Sequence, residues 1–218
     1  MTRVSLYIDG FNLYHGMKAD SRIHAFRWLD LRSLGESLLA PGEELEQVVY
    51  FTALAYWDPG KRRRHETYIR ALESVRVEAV LGHYQPVAQV CLASCGEVFD
   101  AHVEKKTDVN IATRVLVDSA HDRFDWAYLL TADSDQVPTI RAVRELAPTK
   151  KICIIAPPKR NSDDLRKVAD RYRQLGWKSF RDHLLPSEVQ TADGFKIRCP
   201  REWLPPSPDR TDAQDGGA

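Results

Sequence analysis

Short apolar segments alternate with amphipathic ones along residues 3–175. Apolar runs that end at polar or turn-forming residues predict buried strands, at 3–8, 46–55, 76–84, 125–131 and 151–156. Apolar positions spaced three and four apart predict helices, at 12–18, 29–39, 61–74, 108–120, 137–145 and 163–175. Sustained alternation of this kind predicts an α/β fold with a mostly parallel sheet and helices on both of its faces.

The remaining segments set the boundaries of the domain. The stretch 85–103 is less regular and is a candidate hairpin insertion. We expect residues 1–180 to form one domain and residues 181–204 to form a C-terminal extension. The segment 205–218 is rich in Pro, Asp and Gly, and this composition predicts a disordered tail.

Composition narrows the class of protein but does not indicate a ligand. No apolar run approaches the roughly 20 residues that span a bilayer, and the first residues have a strand pattern rather than that of a secretory signal. We therefore expect a cytoplasmic protein without a membrane partner. Lys plus Arg and Asp plus Glu number 31 each, so only the local distribution of charge can point to nucleic acid. Self-association is left open.

Aspartates stand where strands end and helices begin. Asp9 and Asp133 directly follow predicted strands, Asp135 lies two residues further on, and Asp108 opens a helix for which Thr107 is the expected N-cap. Because ligand crevices of parallel α/β sheets lie beyond the carboxyl ends of the strands, we expect these acids to converge. Oxygen ligands favour Mg²⁺ or Mn²⁺ over zinc.

Each of these acids also has an ordinary structural explanation. Asp is common at helix N-caps and in turns, so the prediction depends on the combination rather than on any one residue. Asp118, Asp122 and Asp125 fall at the far end of the 108–120 helix or in the next turn, where solvation or turn formation is enough to explain them. We leave those three out of the candidate site.

Longer motifs resemble a known family. The blocks are YIDGFNLYH at 7–15, EKKTDVNIATRVLVDS at 104–119, LLTADSDQVPTIRAV at 129–143 and ICIIAPPKRNSDDLRKVAD at 152–170. In order and spacing they resemble the NYN domains of the PIN-like nuclease superfamily, in the LabA-like branch. The resemblance implies a PIN-like, Rossmann-like three-layer α/β/α sandwich.

The resemblance also implies an activity and a site. It places a metal site at Asp9, Asp108, Asp133 and Asp135, with Asn12 as the polar catalytic neighbour. The implied reaction is hydrolysis of an RNA phosphodiester with Mg²⁺ or Mn²⁺ as cofactor. Ala132 stands where the branch often has Gly, and Gln136 where an aromatic or apolar residue is common.

A polyanionic substrate requires positive charge near the acids. The candidate RNA-binding residues are Lys105, Lys106, Lys159 and Arg160, and Lys105 also matches the family's basic position. The basic run 61–64 is interpreted as a solvated helix face. Tyr14, His15 and Tyr84 are aromatic residues of the kind that stack on single-stranded RNA, the expected partner, but such residues beside strands usually belong to the core, so we assign them no role.

Cys91 and Cys95 form a second candidate site, for zinc, with His83 and His102 close in sequence. The spacing of three intervening residues is permitted for structural zinc but is not diagnostic, and free thiols are the alternative.

Competing hypotheses for function remain. One is a catalytically inactive module with the same fold that binds RNA or protein. Another, a phosphohydrolase with a nucleophilic aspartate, is disfavoured because no partner acid follows two residues after Asp9.

Overall fold

The computed structural model describes residues 1–19, 26–91 and 96–204. The predicted tail at 205–218 lies outside these residues. The elements are β1 (Thr2–Asp9), α1 (Gly10–Lys18), α2 (Leu31–Ser37), β2 (Glu43–Thr52), α3 (Pro59–Ser74), β3 (Val77–Leu81), β4 (His83–Val90), β5 (Val98–Lys105), α4 (Thr107–Ala120), β6 (Trp126–Leu130), α5 (Val137–Leu146), β7 (Lys151–Ala156), α6 (Asp163–Val168), β8 (Arg171–Gln174), α7 (Trp177–Arg181), β9 (Glu188–Gln190) and β10 (Lys196–Arg198). Short 3₁₀ helices cover Ser134–Gln136 and Arg201–Trp203.

Within the described ranges, six strands form a parallel sheet in the order β3-β2-β1-β6-β7-β8. From β1 the chain adds β2 and then β3 on one side. It then returns to add β6, β7 and β8 on the other side of β1. The order therefore reverses between β1 and β6, where crevices form in sheets of this class. The predicted α/β/α sandwich is confirmed.

Side chains that alternate along the strands form a core on each face of the sheet. Leu6, Ile8 and Tyr50 pack on the face covered by α1, α2 and α3, whereas Tyr7 and Phe51 pack on the face covered by α4, α5 and α6. Alternate residues of a strand point to opposite faces, so a sheet covered on both sides needs continuous apolar strands. None of the helices in the described ranges is both long enough and apolar enough to cross a membrane.

The predicted strand at 76–84 is divided in the structure. It ends at Leu81, and after Gly82 the chain enters β4, which pairs antiparallel with β5 from His83–Lys105 to Val90–Val98. At Gly82 an added Cβ would lie 2.8 Å from the carbonyl oxygen of Lys105, so a larger residue there would collide with the backbone of β5. The expected insertion at 85–103 is thus a hairpin that begins and ends slightly outside that range.

The predicted helix at 163–175 is wrong in its second half. It ends at Val168, because Ala169 has extended backbone angles of φ −76° and ψ 149°. Asp170 then exchanges hydrogen bonds with Ile152: its N–H donates to the Ile152 carbonyl at 2.9 Å, and its carboxylate accepts from the Ile152 N–H at 3.0 Å. This pairing starts β8, which runs beside β7 at the edge of the sheet.

The segment 181–204 packs on the same face as α1 to α3. Leu185, Val189 and Ile197 belong to the same core cluster as the sheet residues of that face. Trp28 donates a hydrogen bond of 2.8 Å from its indole nitrogen to the carbonyl oxygen of Pro186. The C-terminal extension therefore covers the domain.

Asp118 is more than a solvated residue at a helix end, as the sequence had suggested. Its side chain is 1% exposed, and Oδ2 accepts hydrogen bonds from the Tyr7 hydroxyl at 2.8 Å, from Gln47 at 2.7 Å and from Arg114 at 2.8 Å. The sequence separation of 111 residues between Tyr7 and Asp118 hid this contact. These bonds fix α4 on β1 and β2, and so fix where the first turn of α4 lies.

Replacement of Asp118 by Ala should lower the free energy of unfolding by about 3 kcal/mol, because the buried Tyr7 hydroxyl loses its acceptor and Arg114 loses its partner on α4. Chemical denaturation measures the change. Asp164→Ala is the matched control, since the Asp164–Lys167 pair is exposed and its loss should cost at most about 0.5 kcal/mol. Equal small losses in both variants would show that the buried network does not hold α4.

Candidate active site

Asp9 is the last residue of β1 and the N-cap of α1. Its Oδ1 accepts from the backbone N–H groups of Phe11 at 3.1 Å and Asn12 at 3.0 Å, while Oδ2 accepts from the Asn12 amide at 2.8 Å and the Thr131 hydroxyl at 3.0 Å. The carboxylate is only 3% exposed. The residue between Asp9 and Phe11 is necessarily small, since a Cβ on Gly10 would lie 2.6 Å from the Phe51 carbonyl oxygen.

A chain of hydrogen bonds joins Asp9 to the end of β6. Thr131, which donates to Asp9, also accepts from the N–H of Asp133 at 3.1 Å. Asp133 Oδ1 in turn accepts from the N–H of Asp135 at 3.0 Å, which starts the 3₁₀ helix Ser134–Gln136. Asn12 Oδ1 accepts from the N–H of Ala132 at 3.3 Å. The ends of β1 and β6 are therefore tied together through side chains.

Asp108 lies in the first turn of α4, but Thr107 is not the N-cap that the sequence suggests. Lys106 occupies the cap position with a left-handed φ of 76°, and Thr107 is the first helical residue. The side chain of Glu104 takes the role of the cap, accepting from the N–H of Thr107 at 3.0 Å and from its hydroxyl. The left-handed residue lies at the turn from β5 into α4.

The charges of the other acids act on Asp108 and Asp9. Desolvation, followed by the charges of Asp9, Asp133, Glu104 and Asp135, raises the pKa of Asp108 to about 6. Burial also raises the pKa of Asp9, against the opposing effect of its hydrogen bonds from Asn12 and Thr131, and the charge of Asp133 adds to the rise. Mutual repulsion of this kind requires short distances. The convergence of the four aspartates on one ion stays a prediction, and the raised pKa of Asp108 is the effect that such a cluster would produce.

The side chains are not arranged as a finished metal site. Among residues 1–19, 26–91 and 96–204, no group of three or more His, Cys, Asp or Glu side chains is placed to hold one ion. Asp9 uses both oxygens for hydrogen bonds, whereas Asp108 and Asp135 are exposed. In chemistry, however, the set fits a hard cation: all donors are oxygens, and their repulsion is relieved by positive charge.

The candidate cationic residues come from two separate segments of the chain. Lys105 and Lys106 are exposed and directly precede α4. Lys159 and Arg160 follow β7. Burial lowers the pKa of His15, and the charge of nearby Arg160 lowers it further. The charge of Asp9 acts on the same ring and raises the pKa. Arg160 and Asp9 are therefore both near His15, and Lys105 and Lys106 adjoin the helix that begins with Asp108 in its first turn.

Residues that the sequence did not single out complete the arrangement. Thr131 bridges Asp9 and Asp133, and Glu104 caps the helix of Asp108. Gln136 is 1% exposed, accepts from the Thr139 hydroxyl at 3.0 Å and reaches the carbonyl oxygen of Asp108 at 3.4 Å. The sequence did offer a signal for this contact. Residue 136 is polar where the family pattern is apolar or aromatic, and a buried Gln needs a hydrogen-bond partner.

The predicted zinc site is not tested, because Cys95 lies outside the described residues. Cys91 is a half-buried free thiol at the distal end of the hairpin. His83 pairs with Lys105 at the opposite end of that hairpin, and His102 stacks on Trp57 with ring centroids 3.8 Å apart. At about 3.3 Å per strand residue, both histidines are too far from Cys91 to share an ion with it.

Two known proteins are similar to this chain. The chain is 26% identical to the 6-hydroxy-3-succinoylpyridine 3-monooxygenase HspA of Pseudomonas putida over 221 residues, which cover 86% of this chain and 68% of that protein. It is 19% identical to a Vibrio parahaemolyticus protein of unknown function, whose crystal structure superposes with a TM-score of 0.55 over 84% of this chain and 96% of that one. At this identity the second likeness shows the fold alone.

The family is shown by a match along most of the sequence. The NYN domain matches residues 3–176, from the start of β1 to just beyond β8. That span contains Asp9, Asp108, Asp133 and Asp135, together with the sheet that positions them. This chain belongs to the NYN domain family, within the PIN-like nuclease superfamily.

Proposed function

We propose that this protein is a ribonuclease that depends on Mg²⁺ or Mn²⁺ and hydrolyses phosphodiester bonds of single-stranded RNA. The observation that carries the proposal is the coupling of four aspartates from three separate parts of the chain at the point where the strand order reverses. Family membership supports the reaction class. A structural role would not require acids to be gathered where they repel one another.

The residues that would hold the cation are Asp9, Asp108, Asp133 and Asp135. When bound, a divalent ion polarises the phosphoryl oxygens and lowers the pKa of a water ligand. Asp9 would need to release one of its hydrogen-bond donors to become a ligand, and Asn12 and Thr131 are the side chains that can turn away. The protein therefore supplies a cluster of carboxylates whose oxygens would have to reorient around the cation.

Other groups bind and orient the substrate. Lys105 and Lys106 on one side, and Lys159 and Arg160 on the other, would contact phosphates that flank the cleaved bond. Asn12 does not titrate, and its amide lies 2.8 Å from Asp9, so it can orient water or a phosphoryl oxygen without taking up a proton.

The second candidate function is an RNA-binding or protein-binding module that does not cleave. Two observations favour it: the Asp9 carboxylate already accepts four hydrogen bonds, and no three acids in the described part of the chain are arranged around one ion. The two functions differ in a single measurable property, which is metal-dependent turnover.

Asp9→Asn and Asp133→Asn should each reduce cleavage of a fluorescent single-stranded RNA in Mn²⁺ by at least about 100-fold, because each removes a charge that stabilises the bound cation. Asp163→Asn is the control, since Asp163 is an exposed acid in the first turn of α6. Melting temperatures show whether each variant is folded. Cleavage that persists in both variants would show that Asp9 and Asp133 do not carry the reaction, whereas no cleavage by the wild type with either metal would favour the non-cleaving module.

Lys105→Ala should raise KM about 3- to 10-fold with kcat unchanged, and should reduce the salt slope of RNA binding by about one, because one phosphate contact is lost. Lys167→Ala, at an exposed lysine of α6, is the control and should leave both quantities unchanged. Binding measured over a range of salt concentrations tests the prediction. An unchanged slope in Lys105→Ala would remove this residue from the RNA-binding surface.

Asp108→Asn should raise the melting temperature of the metal-free protein at pH 7.5 by roughly 1–3 °C, the screened effect expected for an exposed group. The folded state holds the Asp108 proton with a pKa of about 6, above the ordinary 3.8, so the wild type loses stability as pH rises from about 4 through 6. The difference between variant and wild type should therefore vanish near pH 4.

Thermal melts at both pH values, with and without Mg²⁺, measure this effect. Mg²⁺ should stabilise the wild type more than Asp108→Asn, because the variant has less repulsion for the cation to relieve. A variant less stable than the wild type at pH 7.5 without metal would show that Asp108 is not under repulsion.

A further inference from the structure

A cavity of about 340 Å³ opens beside the acids, on the face of the sheet covered by α1 and α3. Its volume lies at the lower end of the range of about 300–1,000 Å³ found for small-molecule sites. Gly10 and Phe11, which directly follow Asp9, form part of its wall. None of the residues so far assigned to cation or phosphate binding lines it.

One side of the cavity consists of aromatic rings in mutual contact. Trp57 stands edge-on to Tyr84 with ring centroids 4.6 Å apart, and Tyr84 stands edge-on to Phe11 at 5.8 Å. Trp57 is also stacked on His102 and remains 42% exposed. The rings hold one another in place, so a planar ligand would meet a preformed surface.

Polar groups of β2 and α3 also line the cavity. Thr52 Oγ1 lies 3.1 Å from His65 Nε2, and Tyr50 lines the cavity beside them. Burial lowers the pKa of His65 to about 4, so the ring is neutral near pH 7 and carries one donor and one acceptor. A heterocycle with donors and acceptors on its edge matches these groups better than a plain hydrocarbon does.

Cationic side chains complete the lining. Lys61 and Arg64, from the basic run that the sequence suggested was only a solvated helix face, both line the cavity. Their partners are Asp58 at 3.3 Å and Glu202 at 3.1 Å, in pairs open to solvent. Exposed pairs of this kind are weak, so a phosphate can replace the carboxylate at little cost.

The cavity and the acids share a boundary. The Phe11 N–H donates to Asp9 Oδ1 at 3.1 Å, while the Phe11 ring faces Tyr84. Tyr84 pairs across the hairpin with Glu104, whose carboxylate caps the helix of Asp108. A nucleotide with its phosphate at the acids therefore has an aromatic cavity within reach of its base.

We propose that this cavity binds one unstacked base of single-stranded RNA, next to the phosphodiester held at the aspartates, with Lys61 and Arg64 contacting a flanking phosphate. The inference rests on the proposed ribonuclease function and adds a source of selectivity to it. Base-paired RNA cannot deliver a base to an enclosed cavity without first paying the cost of unpairing. The site thus accounts for a preference for single strands.

Saturation-transfer NMR with the four nucleoside 5′-monophosphates, in EDTA, tests base binding without any cleavage. The wild type should bind at least one of them at millimolar concentration or below. Trp57→Ala should weaken binding roughly 5- to 100-fold, the range measured when an aromatic platform for a base is lost. Tyr56→Ala is the matched control, since Tyr56 is the adjacent exposed ring and does not line the cavity.

Ala55→Phe is the second variant, because it fills the cavity and leaves every native ring in place. It should abolish nucleotide binding, and its melting temperature should match that of the wild type. In the RNA cleavage assay, Trp57→Ala should raise KM for single-stranded RNA by the factor by which it weakens nucleotide binding, and Ala55→Phe should raise KM at least as much, with kcat little changed in both.

The two proposals can fail separately. Nucleotide binding that Ala55→Phe abolishes, in a protein without cleavage activity, would support the base site and contradict the ribonuclease. Metal-dependent cleavage that is unaffected by Trp57→Ala and Ala55→Phe would do the reverse. A cavity that binds a small aromatic carboxylate such as nicotinate but none of the nucleotides would overturn the base site.

Discussion

The buried carboxylate of Asp9 is the interaction on which this site depends. It stands where the strand order reverses, between β1 and β6, and it bonds to groups on both sides of that boundary. Its bonds begin α1, fix Asn12 and orient Thr131, which in turn orients Asp133. A single side chain thereby joins two strands that are over a hundred residues apart in sequence.

This arrangement has an energetic cost that the rest of the fold offsets. Burial and like charges raise the pKa of both Asp9 and Asp108, so the acids are held in a state they would not adopt alone. The apolar cores on both faces of the sheet, together with the Asp118 network that fixes α4, supply the stability. A cluster kept at such a cost is typical of a site that binds a cation.

Local patterns were enough to predict the architecture and the principal acids. The strand 151–156 was predicted to the residue, and Asp9, Asp108, Asp133 and Asp135 stood out because strand ends and helix starts can be located from periodicity. The segment 163–175 was misjudged because β8 has only four residues and depends on pairing with β7, which no local pattern records.

The remaining features are contacts between distant residues. Thr131, Gln136 and Glu104 are single polar residues whose roles emerge only when other elements are in place. Asp118 is another polar residue whose role depends on distant contacts, since its carboxylate accepts hydrogen bonds from residues of β1, β2 and α4. The aromatic cavity is lined by residues from α1, β2, α3 and β4. Tyr84, which the sequence suggested was a core residue, therefore forms part of the cavity wall next to Phe11.

The most direct test of the account is a crystal structure of the wild-type protein soaked in Mn²⁺, with anomalous diffraction used to locate the ion. We predict an anomalous peak within ligand distance of Asp9 and Asp133, with Asp108 turned toward it and the hydrogen bond of Asn12 or Thr131 to Asp9 released. Mn²⁺ absent from this crevice, with Asp9 keeping its hydrogen bonds to Asn12 and Thr131, would contradict the claim that the aspartates form a cation site.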